Sequence, residues 1–184
     1  RTLLNIYVMG GVSIYYAESL ETIGDNIKEI KPEIFTAVPR LIEKVYDKII
    51  VGGSQKPAPL KQIFFWAVKR ANAYEIGSSQ GILGKIANKL VYSKVRAGLG
   101  GNVKVIVSGS AALQTRLQRF FWGVGLPILE GYGLTETSPI ISVNTVLKKG
   151  TQFGTVGKVI ENVSVKIAED GEILTKGPNV MLGY

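Results

Sequence analysis

The sequence predicts an α/β fold: an open, mostly parallel sheet with crossover helices, followed by a hairpin-rich β segment. β-rich runs alternate with stretches whose apolar residues recur at helical spacing, which favours right-handed crossovers. Residues 103–107 are apolar except for Lys104, a pattern typical of a strand covered on both faces of a parallel sheet. After Lys149 apolar and polar residues alternate, as in hairpins. We therefore predict one domain with an α/β portion at 1–149 and a β-rich segment at 150–184.

The first half of the chain predicts two strands and four helices. β-rich runs at residues 12–17 and 34–38 are the strands. Ser19 can cap a helix through Ile30, and Pro32 lies beyond its end. The apolar faces of the four helices are Leu20, Ile23, Ile27 and Ile30; Leu41, Ile42, Val45, Tyr46 and Ile49; Ile63, Phe64, Ala67, Val68, Ala71 and Tyr74; and Ile86, Leu90, Val91 and Val95.

Other segments of this half are interpreted by length and composition. Residues 3–17 are apolar but fall short of the roughly 20 residues that span a bilayer, so a buried helix end followed by a buried strand is predicted. The Gly- and Pro-containing stretch 52–59 predicts a loop. Phe64, Phe65 and Trp66 could line a ligand cavity, but such a cluster on a helix favours core packing.

The second half continues the alternation of strands and helices. A strand at 103–107 leads into a turn at residues 108–110, and a strand at 126–129 leads into a glycine-rich segment. A turn at Asp170 and Gly171 separates two β-rich runs and predicts a hairpin. The helix between the two strands presents Leu113, Leu117, Phe120 and Phe121.

Two residue types absent from the sequence restrict its chemistry. Among the 184 residues there is no Cys and no His. A disulfide, a thiolate metal site and a Ser–His–Asp triad within the chain are therefore excluded. Carboxylates, hydroxyls, backbone amides and a metal held by oxygen remain as functional groups. Because the chain starts at Arg1 and not at Met, we expect it to be a piece of a longer polypeptide.

Positive charge is concentrated in one stretch of a chain whose net charge is +8. Residues 76–129 contain no Asp or Glu. Such a stretch favours a phosphorylated ligand or an anionic membrane, while a solvated basic face is the alternative. No nucleic-acid motif is present, so we predict no nucleic-acid partner. The basic residues of the stretch are Lys85, Lys89, Lys94, Arg96, Lys104, Arg116 and Arg119.

The candidate site follows the strand at 126–129. Both familiar phosphate-loop fingerprints are absent, but Glu130-Gly-Tyr-Gly-Leu-Thr-Glu-Thr-Ser-Pro139 lies where ligands bind in α/β sheets, at a strand's carboxyl end. Tyr132 offers a flat face to a base, Thr135 a hydroxyl to a phosphate, and Glu136 an oxygen ligand to Mg²⁺. Residues 108–112 offer small side chains after the previous strand. Simple tight turns remain the alternative for both segments.

These residues resemble a known family. GYGLTETSP is similar to the signature of adenylate-forming enzymes, and residues 107–113 resemble the family's preceding SGGAPL-type turn. Residues 153–157 and 177–184 resemble later family motifs in the same order. Residues 34–44 resemble the long-chain acyl-CoA synthetase branch. The resemblance covers essentially the whole chain.

The resemblance implies a role for each residue of the candidate site. Tyr132 would stack on adenine, bordered by Gly109, Ser110 and Ala111. Thr135 and Glu136 would be the catalytic pair, Thr135 contacting phosphate and Glu136 holding Mg²⁺. The nucleotide-binding segment of the main chain would be Glu130, Gly131, Tyr132, Gly133 and Leu134. Ser110 stands where the family usually has a second Gly, and Ala112 where Pro is common.

The implied parent enzyme forms acyl-AMP from a fatty acid and ATP·Mg²⁺, and then acyl-CoA with CoA. Its phosphate loop would precede Arg1, and its ribose-binding Asp and catalytic Lys would follow Tyr184, so the chain alone is expected to be inactive. A cytoplasmic protein is predicted, with peripheral membrane contact left open and the oligomeric state not predicted. An aryl or short-chain acid–CoA ligase and a non-catalytic nucleotide-binding module of the same fold are the alternatives.

Overall fold

The computed structural model describes residues 2–19, 21–146 and 150–184. Its contacts divide the chain into two compact units. The core unit is Ala17–Leu129, and the motif unit combines Arg1–Tyr16 with Glu130–Tyr184. The predicted division at residues 149 and 150 falls beside undescribed residues and stays a prediction.

Helices occupy much of the core unit, and the first helix of the chain belongs to the motif unit. The α-helices are α1 Thr2–Met9, α2 Ile23–Ile30, α3 Pro39–Ser54, α4 Leu60–Asn72, α5 Gly81–Ala87, α6 Ser93–Gly98 and α7 Thr115–Gly123. A π-helical turn, Asn88–Tyr92, joins α5 to α6. The strands are β1 Ile34–Thr36, β2 Val105–Ser108, β3 Ile128–Gly133, β4 Ile140–Val143, β5 Lys158–Val159, β6 Ser164–Ile167 and β7 Ile173–Lys176.

Aromatic packing forms the centre of the core unit. The rings of Tyr46 on α3 and Phe120 on α7 pack edge to face, with centroids 4.9 Å apart. Phe121 is fully buried on α7, which packs against α4. A Cβ at Gly123 would lie 2.7 Å from Ala71 Cα, so the close approach of α7 to α4 requires glycine there. The helices α3, α4 and α7 therefore form one hydrophobic cluster.

The sheet is mixed. In the core unit β1 and β2 are parallel, with Ile34 opposite Val105, and the Ile106 N–H donates to Pro127 O at 2.9 Å just before β3. In the motif unit β3, β4 and β5 are antiparallel neighbours, and β6 and β7 form a separate antiparallel hairpin. The predicted α/β class and the hairpin are confirmed, and the sheet combines the parallel pair β1 and β2 with the antiparallel pairs β3 and β4 and β4 and β5.

Several predicted boundaries differ from the structure. Residues 12–17 form no strand in the described chain, since β-rich residues need a partner strand and none pairs with them. The helix predicted from Ser19 begins at Ile23, because the Ser19 hydroxyl accepts the Glu21 and Thr22 N–H groups in a preceding turn. Leu20 lies outside the described residues.

Burial and helix length also differ in places. α1 is helical as predicted, but it is not buried: Val8 and Met9 are exposed. The predicted loop at 52–59 starts later because α3 continues through Ser54, with Phe64 packed against Gly53 where a Cβ would be. Phe64 is buried, as the core interpretation predicts, but Phe65 and Trp66 of the same cluster are exposed. Across the described residues, no helix is long and apolar enough to cross a membrane.

Candidate functional site

A tight connection after β3 presents the central residues of the site. The register between β3 and β4 shifts at Tyr132 and Gly133, and a 3₁₀ turn, Thr135–Thr137, follows. A Cβ on Gly133 would lie 1.6 Å from the carbonyl oxygen of Pro139. No other residue fits there without moving the backbone. Gly133 is thus explained by the chain's own turn, before any ligand is considered.

Thr137 holds this turn in place. Its buried hydroxyl accepts the Leu134 N–H at 2.9 Å and lies 2.6 Å from Pro139 O and 3.1 Å from Leu134 O, to which it can donate. One side chain thereby fixes both ends of the segment that carries Thr135 and Glu136. The sequence does not indicate this role, because Thr137 occupies the N3 position behind Leu134 at the N-cap and the usual capping pattern that starts with Ser or Thr is absent.

The end of β3 supplies the predicted adenine platform. Tyr132 is half-buried and lies opposite Ser142 on β4, so its neighbour across the ladder is small. Gly131 lies opposite Val143, and Glu130 is buried, with its carbonyl accepting the Asn144 N–H at 2.8 Å. The backbone proposed to line the nucleotide is therefore a structured strand.

The two proposed catalytic residues lie on the 3₁₀ turn. Thr135 and Leu134 are exposed, and Glu136 is partly exposed. The Tyr184 phenol donates to Glu136 Oε1 at 2.7 Å. This hydrogen bond, followed by one from the backbone, lowers the pKa of Glu136 below its ordinary value despite opposing desolvation. The same contact raises the pKa of Tyr184. Glu136 is consequently an ionised carboxylate at neutral pH.

The segment at 177–184 returns to the same turn. Asn179 Nδ2 donates to Ile140 O at 3.0 Å, and the Met181 N–H donates to Glu136 O at 2.8 Å. Together with Tyr184, these contacts hold both sides of Glu136, main chain and side chain. The motifs at 130–139 and 177–184 are thus joined by hydrogen bonds.

The segment at 153–157 packs on β4. Ser142 Oγ donates to Val156 O at 3.2 Å, and Asn144 Nδ2 donates to Thr155 O at 2.8 Å. A Cβ on Gly157, whose φ is +85°, would lie 2.2 Å from the carbonyl of Val143. Glycine is needed here for close packing as well as for its backbone conformation.

The turn after β2 belongs to the core unit. Gly109 is half-buried, and Ser110 and Ala111 are exposed. Ser110 has a φ of +74°, in the left-handed region that costs about 1–2 kcal/mol for a residue with a Cβ. This conformation explains why a glycine is expected at the position. That this turn and the Tyr132 segment form one site stays a prediction, as do the individual ligand contacts.

The donor set suits a metal that arrives with its nucleotide. Among the described residues no group of three or more His, Cys, Asp or Glu side chains is clustered as a metal site. Mg²⁺ is commonly held by one or two carboxylates together with substrate phosphates. A single ionised Glu136, with Oε1 taken by Tyr184, fits that mode and does not fit an all-protein metal cage.

Comparison with known proteins defines the class. The family model for the AMP-binding enzyme matches residues 1–184, so the chain belongs to the AMP-binding enzyme family. The curated relatives include the long-chain-fatty-acid–CoA ligase FadD15 of Mycobacterium bovis, 35% identical over 94% of this chain and 29% of that protein. Long chain acyl-CoA synthetase 3 of Arabidopsis thaliana is 31% identical over 100% of this chain and 30% of its own length.

Solved structures show the same fold. A long-chain-fatty-acid-CoA ligase from Archaeoglobus fulgidus superposes with a TM-score of 0.60 at 19% identity, over 99% of this chain and 32% of that one. The o-succinylbenzoate CoA synthetase of Bacillus subtilis, in complex with ATP and magnesium ion, gives 0.56 at 18% identity, over 99% and 31%. The chain spans about a third or less of these relatives.

Proposed function

We propose that this chain is part of an ATP-dependent long-chain fatty acid–CoA ligase that forms acyl-AMP and then acyl-CoA. The observation that carries the proposal is the convergence of three motif segments within the motif unit. Residues 153–157 pack on β4, and residues 177–184 bond to the turn that carries Thr135 and Glu136. Family membership and the acyl-CoA ligase function of the curated relatives support the same reaction class.

Each residue of the turn has a task in this proposal. Tyr132 stacks on adenine, Thr135 donates its hydroxyl to a phosphate, and the carboxylate of Glu136 would hold Mg²⁺. When bound, Mg²⁺ neutralises charge that develops on the phosphates during displacement. The fatty carboxylate attacks the α-phosphorus of ATP, pyrophosphate leaves, and the CoA thiol then displaces AMP. No protein base is needed for the first step, because the carboxylate is already ionised at neutral pH.

The remaining features of the proposal extend beyond the chain. The phosphate loop, the ribose-binding Asp and the catalytic Lys are assigned to other parts of the enzyme, so the 184-residue chain alone is expected to be inactive. We place the enzyme in the cytoplasm. The curated relatives act on long-chain acids, which favours these over aryl or short-chain acids as substrates.

The proposal is tested by Glu136→Gln in the full-length enzyme. Acid-dependent ATP–pyrophosphate exchange should fall on the order of 100-fold or more, since metal stabilisation is worth several kcal/mol and each 1.36 kcal/mol is a factor of ten. Tyr132→Ala should instead raise the KM for ATP more than it lowers kcat.

A matched control separates this effect from a general loss of charge. Glu169 is an exposed carboxylate of the same unit, in the hairpin turn, and Glu169→Gln should leave exchange unchanged. Near-normal exchange by the Glu136→Gln enzyme at low Mg²⁺ would remove the metal role. Absence of exchange with every fatty acid in the unmodified enzyme would favour the non-catalytic nucleotide-binding module.

A further inference from the structure

The Glu136 carboxylate on the 3₁₀ turn is oriented by a neutral group. The Tyr184 phenol donates to Glu136 Oε1 at 2.7 Å. Between the residues that the structure describes, no ion pair includes Glu136. A Lys or Arg in the place of the phenol would offset the charge of the carboxylate and compete with a cationic ligand. The phenol instead restrains the side chain and leaves its negative charge in place.

The hydroxyl of Tyr184, and not its ring, makes this contact. Tyr184 is fully exposed, so its ring covers no part of a hydrophobic core and packing does not explain the residue. A tyrosine carries its hydroxyl at the end of a rigid ring and can hold it in place at a low cost in conformational entropy. The tyrosine is therefore explained by the carboxylate that its hydroxyl reaches.

The segment that carries Tyr184 also binds the main chain of the turn. The Met181 N–H donates to Glu136 O at 2.8 Å, and Asn179 Nδ2 donates to Ile140 O at 3.0 Å, just beyond the turn. These two bonds place the 177–184 segment against the turn independently of the phenol. Tyr184 is thereby held within reach of the Glu136 carboxylate, and loss of its hydroxyl should leave the backbone of the turn in place.

An unrestrained Glu136 side chain would lose conformational freedom when it binds a cation. Glutamate is among the side chains with the most rotamer freedom to lose. Fixing one such side chain only at the moment of binding weakens affinity roughly 2- to 12-fold. A hydrogen bond that already restrains the carboxylate in the folded protein removes part of this loss. The bond from Tyr184 should therefore increase the affinity of the turn for a cation.

We propose that Tyr184 is a positioning residue for the nucleotide–metal site, and that its hydroxyl holds the Glu136 carboxylate ready for ATP·Mg²⁺. The inference rests on the proposed function, in which Glu136 is the residue that holds Mg²⁺, and it adds a residue of the 177–184 segment to that site. Tyr184 acts through Glu136 and takes no part in the chemical step. Its effect should therefore appear in the affinity for the metal-bound nucleotide and depend on the presence of the metal.

The test compares the binding of ATP to the full-length enzyme with and without Mg²⁺, measured by titration calorimetry. Tyr184→Phe should weaken binding of ATP·Mg²⁺ roughly 2- to 12-fold and leave binding of metal-free ATP unchanged. Tyr184→Leu should have the same effect as Tyr184→Phe, because the exposed ring adds no packing. The matched control Tyr16→Phe removes an exposed phenol from the same unit and should change neither affinity.

Kinetics and a double substitution complete the test. Tyr184→Phe should raise the Mg²⁺ concentration that gives half-maximal ATP–pyrophosphate exchange, while exchange at saturating Mg²⁺ stays close to that of the unmodified enzyme. In a Glu136→Gln background, Tyr184→Phe should cause no further loss of affinity for ATP·Mg²⁺.

Three outcomes would count against the inference, and one of them also reaches the proposed function. An unchanged affinity of Tyr184→Phe for ATP·Mg²⁺ would overturn the inference alone, provided that Glu136→Gln weakens that affinity. An equal loss of affinity with and without Mg²⁺ would also overturn it, because the phenol would then only maintain the shape of the turn. Unchanged Mg²⁺-dependent binding in Glu136→Gln would contradict the metal role in the proposed function, and this inference with it.

Discussion

The two units of the chain are stabilised by different interactions. Among the described residues, every buried hydrophobic side chain except Ile141 belongs to the core unit. Of the six buried polar residues in the described part of the chain, four belong to the motif unit: Glu130, Thr137, Ser142 and Asn144. Thr137, Ser142 and Asn144 bond to backbone carbonyls of neighbouring segments. The core unit is stabilised by hydrophobic packing. The motif unit is held by side-chain hydrogen bonds and by close backbone contacts at glycines.

The two kinds of interaction have different consequences: hydrophobic packing mainly sets the stability of the core unit, and hydrogen bonds mainly set the positions of the exposed side chains of the motif unit. An apolar core tolerates exchanges of similar volume, because burial is non-directional. The turn at Thr135 and Glu136 is instead fixed by directional bonds from Thr137 and from the 177–184 segment. Such bonds set the position of exposed groups closely while each adds little net stability. Substitutions in the two units should therefore differ in the size and the kind of their effects.

The largest expected effect on stability comes from Phe121→Ala in the core unit. Phe121 is fully buried and packs edge to face on Phe120, with centroids 5.3 Å apart. Its truncation should lower the free energy of unfolding by about 3–5 kcal/mol. Equilibrium denaturation followed by tryptophan fluorescence measures this, since Trp66 and Trp122 both lie in the core unit. A loss below about 1 kcal/mol would contradict a packed core there.

Sequence patterns predicted the centre of the core unit, although Ile30, Ile86 and Leu90 of the predicted apolar faces are exposed. The apolar faces predicted for the helices that became α3 and α7 contain Ile42, Tyr46, Leu117 and Phe120, all buried. Helical periodicity indicates which face of a helix is buried, so this face can be predicted without knowing which element packs against it. Boundaries were less accurate where a local polar contact competed, as at Ser19, whose hydroxyl caps a turn before α2.

The motif unit was predictable in its motifs and not in its contacts. The order of the segments at 130–139, 153–157 and 177–184 indicated the family. The pairing of β4 with β3 and the bond from Tyr184 to Glu136 were not predicted, because hydrogen bonds between distant segments leave no periodic pattern. The close contact between Gly133 and Pro139 O, which requires glycine at position 133, is likewise not visible in the sequence.

An intermediate effect is expected for Thr137→Val. The change keeps the volume of a buried side chain but removes the hydroxyl that bonds Leu134 and Pro139. The stability of the turn should fall by about 1–3 kcal/mol, the cost of leaving such partners unsatisfied. Amide hydrogen exchange at Leu134 measures it directly. Thr137→Ser, which keeps the hydroxyl, should restore most of the protection.

The unfolding transition followed by tryptophan fluorescence compares the stability of the two units. Thr137→Val should shift it much less than Phe121→Ala does, since both tryptophans report on the core unit. Equal shifts for the two variants would show that the two kinds of stabilisation are not separable in this chain.

The smallest effect on stability, and the clearest effect on electrostatics, is expected for Tyr184→Phe. The phenol hydrogen bond is the main cause that lowers the pKa of Glu136, so its removal should raise that pKa toward the ordinary value. A carboxylate with a lowered pKa adds stability above its unfolded-state pKa and loses it as the pH falls through the folded-state pKa. The contribution is therefore complete at neutral pH, and Tyr184→Phe should reduce it there. Because the contact is at the surface, the melting temperature should hardly change.

Carboxyl NMR titration of Glu136 measures the predicted shift. Tyr16→Phe is the matched control, because Tyr16 is an exposed phenol of the same unit, and it should leave the Glu136 titration unchanged. Since the contact also raises the pKa of Tyr184, the unmodified phenol stays protonated and the hydrogen bond persists throughout the neutral range. An unchanged Glu136 titration in Tyr184→Phe would show that Tyr184 does not hold this carboxylate. The Met181 N–H to Glu136 O contact would then be the remaining link between the 177–184 segment and Glu136.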